Sequence, residues 1–571
     1  MSDAISILFP DVKDVQYNSL SETTCHDLGL DFICQKLSKK EAEQRMIMEV
    51  ISNMTDNPEV AKFRGEVFDD ILRLPDMRKS MLELLDRIQF LKDFGGFKRD
   101  NDKTAGLWDL LHRLDEISDY IKCVESIKEC LENADVHSQG LTKLKAYIEE
   151  IFKASYFAEM KKDIEDLKAD TSTLQSVTVG INLNERFEAT SVGLVSINDK
   201  QFKKSGFMSN FADAIVNKNH IHEGVEWDED YRYHPIDKES FFPIEKLEKM
   251  AGFAALGQTP IMDARVRSTI VNLPEGDGNT DITRYMDKVA SQLLNFMAKK
   301  LRDVLGKYVT ITIQNITALI PEFVYYIRFA EYIEELMNKG VSFCKAEVME
   351  SKTSYMRARG IYNMKLASAH AEEGLEIVTN DLDFDDEHMT YILTGANRGG
   401  KTTITQAVGI LYVLAQGGIY VPGDKLEYVP VDCIYTHFPA DEDKTMDLGR
   451  LGEECTRFKD MYGKCTKSSL LLLNETFSTT SFEEGYYIAR DAVRAILTKG
   501  VRTIYNTHMH KLGYDIAEIN SSDCRYKAAS LIVKSEGGNR SFKVEIAPPE
   551  GMSYAGDIAR KYGVTYEMLT Q

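Results

Sequence analysis

At 571 residues the chain is too long for a single hydrophobic core, and roughly three or four domains of ordinary size are expected. Its 90 acidic against 69 basic residues give a formal charge of −21, which argues against a protein that grips bare nucleic acid mainly by displacing counterions. The nine cysteines are scattered without C-x-x-C spacing, as expected for reduced thiols rather than a zinc or redox centre. No run approaches the ~20 apolar residues of a membrane helix, and Met1-Ser-Asp-Ala-Ile-Ser opens no basic-then-apolar leader. A soluble, cytoplasmic protein with no membrane partner is therefore expected, associated with the nucleoid if it binds DNA.

Residues 1–55 form a mixed opening segment, with Phe9-Pro10 ahead of a helical stretch from about Lys36, and carry no recognisable chemistry. From Asn57 the pattern is helical: Leu107, Leu110, Leu114, Ile117, Ile121, Val124, Ile127 and Leu131 recur at three- and four-residue steps. A second long charged helix is predicted from about Leu141 to Leu167. Near Leu174 the period changes, and the β-branched runs Ser176–Leu183 and Thr190–Ile197 predict a hairpin. A DNA clamp there should be basic, yet residues 176–240 hold seven Lys/Arg against eleven Asp/Glu. Phe202, Phe207 and Phe211 beside Lys203 and Lys204 read as a packed helix face in preference to a base-stacking platform. Helices resume at Ile244, Pro274–Asn279 interrupts them, and a densely apolar helix from about Thr310 to Asn338 connects these struts to the nucleotide domain.

From about residue 340 strand, loop and helix alternate, the mark of an α/β domain. Within it stands Leu393-Thr-Gly-Ala-Asn-Arg-Gly-Gly-Lys-Thr-Thr403. Gly395, Gly400, Lys401 and Thr402 satisfy G-x-x-x-x-G-K-[ST], in which backbone N–H groups wrap a polyphosphate, the lysine meets the β/γ-phosphates and the hydroxyl meets Mg²⁺. Met389–Thr394 reads as a buried strand before this loop, and Thr402–Gln416 as a helix whose N-terminal end faces the phosphates. About 70 residues on, Leu470-Leu-Leu-Leu-Asn474-Glu475 has the form of a Walker B strand, in which an acidic residue orients Mg²⁺ and the next Glu polarises the attacking water. Asn474 keeps the hydrogen bonding and loses the charge, so weak catalysis is predicted. The acidic run Asp441, Glu442 and Asp443 is either a substitute for that charge or a solvated loop. A third strand, Thr503–His508, ends in a histidine placed to sense the γ-phosphate.

These motifs, with Gly418-Ile-Tyr-Val-Pro422, Ser478-Thr-Thr-Ser481, Asn506-Thr-His508 and Gly551-Met-Ser-Tyr554, resemble the MutS-type mismatch-repair ATPases of the ABC class. Asn57–Glu66 resembles the start of that family's core domain, and the hairpin near Gly180 a much shortened clamp. The resemblance implies a multidomain α plus α/β fold: a short segment 1–55, a helical core and lever domain 56–340 with a reduced clamp hairpin near 175–200, and a P-loop ATPase domain 341–571. It implies a homodimer binding ATP and Mg²⁺ and acting slowly on duplex or branched DNA, with repair or recombination proteins as further partners. The nucleotide would be held by Gly395, Ala396, Asn397, Arg398, Gly399, Gly400, Lys401, Thr402 and Thr403, with Ile377 and Val378 against the base. Thr402, Asn474 and Glu475 would serve the metal, and Glu475, Lys401 and His508 the catalysis.

Departures qualify the likeness. Only about 55 residues precede the core, so the mismatch-reading domain is expected to be missing; Phe157-Ala-Glu159 and Phe329-Ala-Glu331 lie in predicted helices and are read as coincidences. The chain also stops soon after Tyr562-Gly563, and no nuclease module is expected. Where the family's trans-acting segment presents a serine, this chain has Gly449-Arg450, with Arg450 either an arginine finger toward the partner subunit or a surface salt bridge to Glu453 or Glu454. The alternative to a DNA switch is a nucleotide-binding protein that assembles with protein partners and does not touch DNA.

Overall fold

The computed structural model describes residues 5–11, 16–94, 107–171, 176–186, 189–198, 271–272, 295–308, 318–350, 355–395, 399–439, 450–521, 525–536, 539–549, 560 and 562–570. The chain divides into two compact units, one comprising Met1–Leu85, Lys128–Tyr147 and Asn315–Gln571, the other Asp86–Ile127 and Ile148–Gln314.

The second unit holds the predicted hairpin. Ser176–Leu183 and Ala189–Asn198 pair antiparallel, with Gly180 opposite Gly193, and Val271–Asn272 adds a short third strand. The Lys307 ammonium meets Glu159 at 3.2 Å and Asp163 at 2.9 Å, and the Tyr308 hydroxyl donates to Asp163 at 2.8 Å, fixing the end of the Asn295–Leu305 helix to the Ser155–Thr171 helix. The single helix predicted over Leu141–Leu167 is two, Gln139–Lys153 and Ser155–Thr171. Leu141, Leu144, Ile148 and Ile151 keep one stripe and Phe157, Met160, Ile164 and Leu167 another, all buried. The step of six residues from Ile151 to Phe157 would leave the second stripe about a third of a turn from the first in a continuous helix, and the chain breaks at Ala154 instead. Phe202, Phe207, Phe211, Lys203, Lys204 and the helices expected after Ile244 lie outside the described residues, up to Asn295.

The first unit is built on a six-stranded sheet. In chain order its strands are β1 (Thr390–Thr394), β2 (Ile434–His437), β3 (Leu470–Asn474), β4 (Arg502–Asn506), β5 (Ala528–Glu536) and β6 (Asn539–Ile546). Their spatial order is β2-β3-β4-β1-β5-β6, parallel except for the antiparallel edge strand β6. Leu470–Asn474 is buried at every position, as a strand covered on both faces requires. On one face lies the Lys401–Gln416 helix, apolar almost all round because the N-terminal Glu22–Leu28 helix covers its outer side. Gly409 permits that sandwich, since a Cβ there would collide with Leu28 and lie 2.9 Å from Leu472. On the other face the Phe482–Lys499 helix packs Tyr486, Val493, Ile496 and Leu497 against Ile392, Leu471, Leu473 and Tyr505.

The opening segment is built into this unit. Helices Glu22–Leu28, Leu30–Leu37 and Glu41–Ile51 precede and overlap the helix predicted from Lys36. The Arg64 guanidinium, fully buried, donates from Nε to Leu8 O at 3.0 Å and from Nη1 to Gln416 O at 3.1 Å, tying the first residues to the far end of the Lys401–Gln416 helix. The long apolar helix is described from Leu319 to Asn338 and packs on Glu41–Ile51 and Pro58–Arg73. Phe157 and Phe329 both lie in helices and are buried, as expected of core residues.

Candidate nucleotide site

Parallel strands deliver their carboxyl ends to one edge of a sheet, which is where open α/β proteins place ligands. Here β3, β4 and β1 are consecutive neighbours, and the register sets Asn474 beside Asn506 and Asn506 beside Leu393. The glycine-rich loop leaves β1 at that edge and the Lys401–Gln416 helix starts from it. Gly395 has φ 141° and passes so close to β5 that a Cβ would lie 3.2 Å from the Val533 side chain, while Gly400 caps the helix in the left-handed region at φ 92°.

Three polar side chains from three elements meet there. The Thr402 hydroxyl donates to Asn474 Oδ1 at 3.3 Å, and Asn506 Nδ2 donates both to Thr402 Oγ1 at 3.3 Å and to Asn474 Oδ1. Asn506 Oδ1 is buried and has no partner among the described residues. Lys401 is buried, with Nζ donating to Gly395 O at 3.0 Å; burial pushes its pKa below the ordinary lysine value, and the Glu475 carboxylate opposes that shift. An ammonium kept in such a place is favoured by the arrival of negative charge.

Glu475 follows β3 with φ 54°, a left-handed backbone uncommon for a residue with a side chain, and its N–H donates to Asn506 O at 2.9 Å. Its Oε1 lies 2.9 Å from His508 Nε2, with the carboxylate mostly buried and the imidazole half-exposed. β4 ends at Asn506, two residues short of the strand predicted to reach His508, and Thr507 N–H returns to Leu393 O at 3.0 Å. His508 thus stands on the loop beyond the edge, where it can touch Glu475. Thr402 and Asn474 offer hard oxygens and Glu475 a carboxylate, a set suited to a hydrated Mg²⁺ and unsuited to soft, sulfur-seeking ions.

Family comparison agrees with this geometry. Residues 391–569 match the model of MutS domain V, and residues 56–339 match the model of the MutS2 N-terminal domain. The chain belongs to the MutS-type family. Over 197 residues it is 32% identical to a DNA mismatch repair protein MutS of Methanococcoides burtonii, a stretch covering 34% of this chain and 22% of that relative. A DNA mismatch repair protein MutS of Thermotoga neapolitana is 29% identical over 192 residues, 33% of this chain and 23% of the relative. An endonuclease MutS2 of Listeria monocytogenes is 24% identical over 236 residues, 40% of this chain and 29% of the relative. The chain matches less than a third of the length of these curated relatives.

In this MutS-type chain Lys401, Thr402, Asn474, Glu475 and His508 come together at one edge. Gly399 and Gly400 lie at the helix start, and Thr403 O accepts from Asn363 Nδ2 at 3.0 Å on the side leading into the helix. Ala396, Asn397, Arg398, Gly449 and the run Asp441–Asp443 lie outside the described residues, as does Gly551–Tyr554. Arg450 opens the Arg450–Lys464 helix, its side chain outside the described set; of its two expected salt-bridge partners, Glu454 accepts a hydrogen bond from Thr479 at 2.7 Å. Ile377 and Val378 are half-buried in the link before the Asn380–Phe384 strand. That link is anchored to β6, because Asn380 Nδ2 donates to Phe542 O at 3.2 Å and Val544 N–H to Asn380 Oδ1 at 2.8 Å. Sequence reasoning gave Asn506 no role of its own, although it joins Thr402 to Asn474; only the cross-strand register reveals it.

Proposed function

We propose that this chain is an ATP-dependent DNA-binding switch of the mismatch-repair type, a slow Mg²⁺-dependent ATPase that works as a homodimer on duplex or branched DNA. The observation that carries this reading is the convergence of the Lys401–Thr402 helix start, the Asn474–Glu475 strand end and the Asn506–His508 strand end at one sheet edge. Gly395, Gly400 and Lys401 would hold the phosphates, Thr402 and Asn474 the hydrated metal, and Ile377 and Val378 the base side. When bound, Mg²⁺ would neutralise phosphate charge. Glu475, oriented by His508, would accept a proton from the attacking water, and His508 would report the γ-phosphate. The amide at 474 supplies no charge, which is the reason to expect slow turnover. Gly449 and Arg450 would reach the partner subunit's nucleotide.

The domain division at 55/56 and 340/341 and a cytoplasmic, nucleoid-associated location belong to the same proposal. The location draws on the names of the relatives, a mismatch repair protein and an endonuclease, and the division on the matched span 56–339. A second reading, a nucleotide-binding protein that assembles with protein partners and leaves DNA alone, is favoured by the charge of −21. ATP turnover measured across protein concentration, with duplex, branched and mismatched DNA at low and high salt, separates them. Stimulation by one DNA form, lost steeply with salt, supports the first; turnover that no DNA form changes even at low salt supports the second.

A further inference from the structure

The segment after β3 is tied to its surroundings by several specific contacts. Glu475 and Phe477 both adopt left-handed backbone, at φ 54° and 64°, a conformation that side-chain-bearing residues keep only when the surroundings impose it. The constraints are visible. The Tyr505 hydroxyl donates to Thr476 O at 2.6 Å, the Phe477 ring is buried, and Gly485 lies so close that a Cβ there would stand 2.5 Å from Phe477 O.

Three ties run from this segment toward the Arg450–Lys464 helix. The Thr476 hydroxyl lies 3.0 Å from His437 Nδ1, and Arg457 Nη2 from the helix lies 3.5 Å from the same nitrogen while donating to Phe438 O at 2.7 Å. The Phe477 and Phe458 rings meet edge to face with centroids 5.2 Å apart. The Thr479 hydroxyl donates to Glu454 at 2.7 Å. His437 is fully buried at the end of β2, and burial, reinforced by Arg457, pushes its pKa down to about 4, so it serves as a neutral hydrogen-bonding link. The Thr476 hydroxyl also lies 3.3 Å from His437 O, to which it donates, a second contact that holds the two residues together, while His437 Nε2 is buried without a partner among the described residues.

We propose that Thr476 and His437 are positioning residues that couple Glu475 to the helix beginning at Arg450. Seating that helix sets the placement of the Glu475 carboxylate, and a change at the carboxylate is felt by the helix. The inference rests on the nucleotide-site reading and adds to it: the residue that would polarise water and the segment that would face a second subunit move as one body. Neither Thr476 nor His437 touches the nucleotide in this scheme, so both act through Glu475.

The test is steady-state ATP turnover of the full chain carrying Thr476→Val, which keeps the shape and removes the hydroxyl, and Thr476→Ser, which restores it. T476V is expected to lower kcat about ten-fold with KM for ATP unchanged, and T476S to recover most of the loss. A T476V kcat equal to wild type, a T476S as impaired as T476V, or an equal-fold rise in KM overturns the coupling. Should T476V fail to fold, Thr479→Val at the exposed tie is expected to lower kcat about three-fold at constant KM, and unchanged turnover there overturns it. A wild type without ATP binding or turnover overturns the nucleotide reading itself, whereas an active wild type indifferent to these changes overturns the coupling alone.

Discussion

Strand β4 carries a buried polar residue at each end, and the two ends do different work. At the amino end Arg502 spends both terminal nitrogens on the protein: Nη1 donates to Val429 O at 2.8 Å and to the Tyr412 hydroxyl at 3.2 Å, and Nη2 to Ser468 O at 3.0 Å and Pro430 O at 3.4 Å, with Nε left without a partner among the described residues. At the carboxyl end Asn506 is as deeply buried, yet its Oδ1 has no partner among the described residues and its Nδ2 shares Thr402 and Asn474. One cluster commits four of its five N–H donors to carbonyls and a hydroxyl of the fold and stabilises it. The other keeps capacity for something that arrives, which is what the ligand end of a parallel sheet requires.

Substitution at the two ends should separate these roles. Arg502→Leu leaves three carbonyls and a hydroxyl without their donor and is expected to cost about 3 kcal/mol in urea unfolding, the largest loss of stability anticipated here. Asn506→Ala should cost about 1 kcal/mol in the same experiment while weakening Mg²⁺-nucleotide binding about ten-fold. Equal stability losses at both ends would erase the distinction.

A smaller effect sharpens the carboxyl end. Asn474→Asp restores a charged acceptor opposite Asn506 Nδ2 and the Thr402 hydroxyl. Turnover is expected to rise, or the Mg²⁺ concentration for half-maximal activity to fall, by about ten-fold. No change in either quantity would show that the charge is supplied elsewhere.

Much of the ligand end was legible in the amino-acid order. Gly395, Gly400, Lys401 and Thr402 announce themselves by spacing, and Leu470–Asn474 reads as a covered strand because it is apolar at successive positions until the amide. The structural cluster was silent, since a lone arginine at the start of a strand resembles any surface arginine until the chain folds Val429, Pro430 and Ser468 around it. His437 and Thr476 were silent for the same reason: they lie 39 residues apart and meet only through strand pairing. The break at Ala154 was readable in principle from the six-residue step between apolar stripes, but no glycine or proline marks it. The opening segment offered no motif, and its role as a cover for the Lys401–Gln416 helix comes from shape, as at Leu28 against Gly409.

The smallest expected effect concerns that opening segment. Glu322 accepts from the Ser6 hydroxyl at 2.8 Å and the Ile7 N–H at 2.7 Å, and burial pushes its carboxyl up to about 7 in spite of those bonds. With its folded pKa above the unfolded one, the folded state holds the proton more tightly. This contribution is complete below the ordinary carboxylate range and is lost as pH rises through about 7. Wild type should therefore lose stability relative to Glu322→Gln between pH 5 and pH 8, with a slope of at most about 1.4 kcal/mol per pH unit. Parallel melting profiles across that window would rule the effect out.

The most direct test of the nucleotide edge is calorimetric titration of the full chain with Mg²⁺-ATP, alongside Lys401→Met. Wild type should bind saturably, and K401M should bind at least about 100-fold more weakly while unfolding no more easily, because the buried ammonium is replaced by an apolar side chain of similar length. Absence of heat and of saturation in the wild type, or equal affinity in the two proteins, would contradict the account.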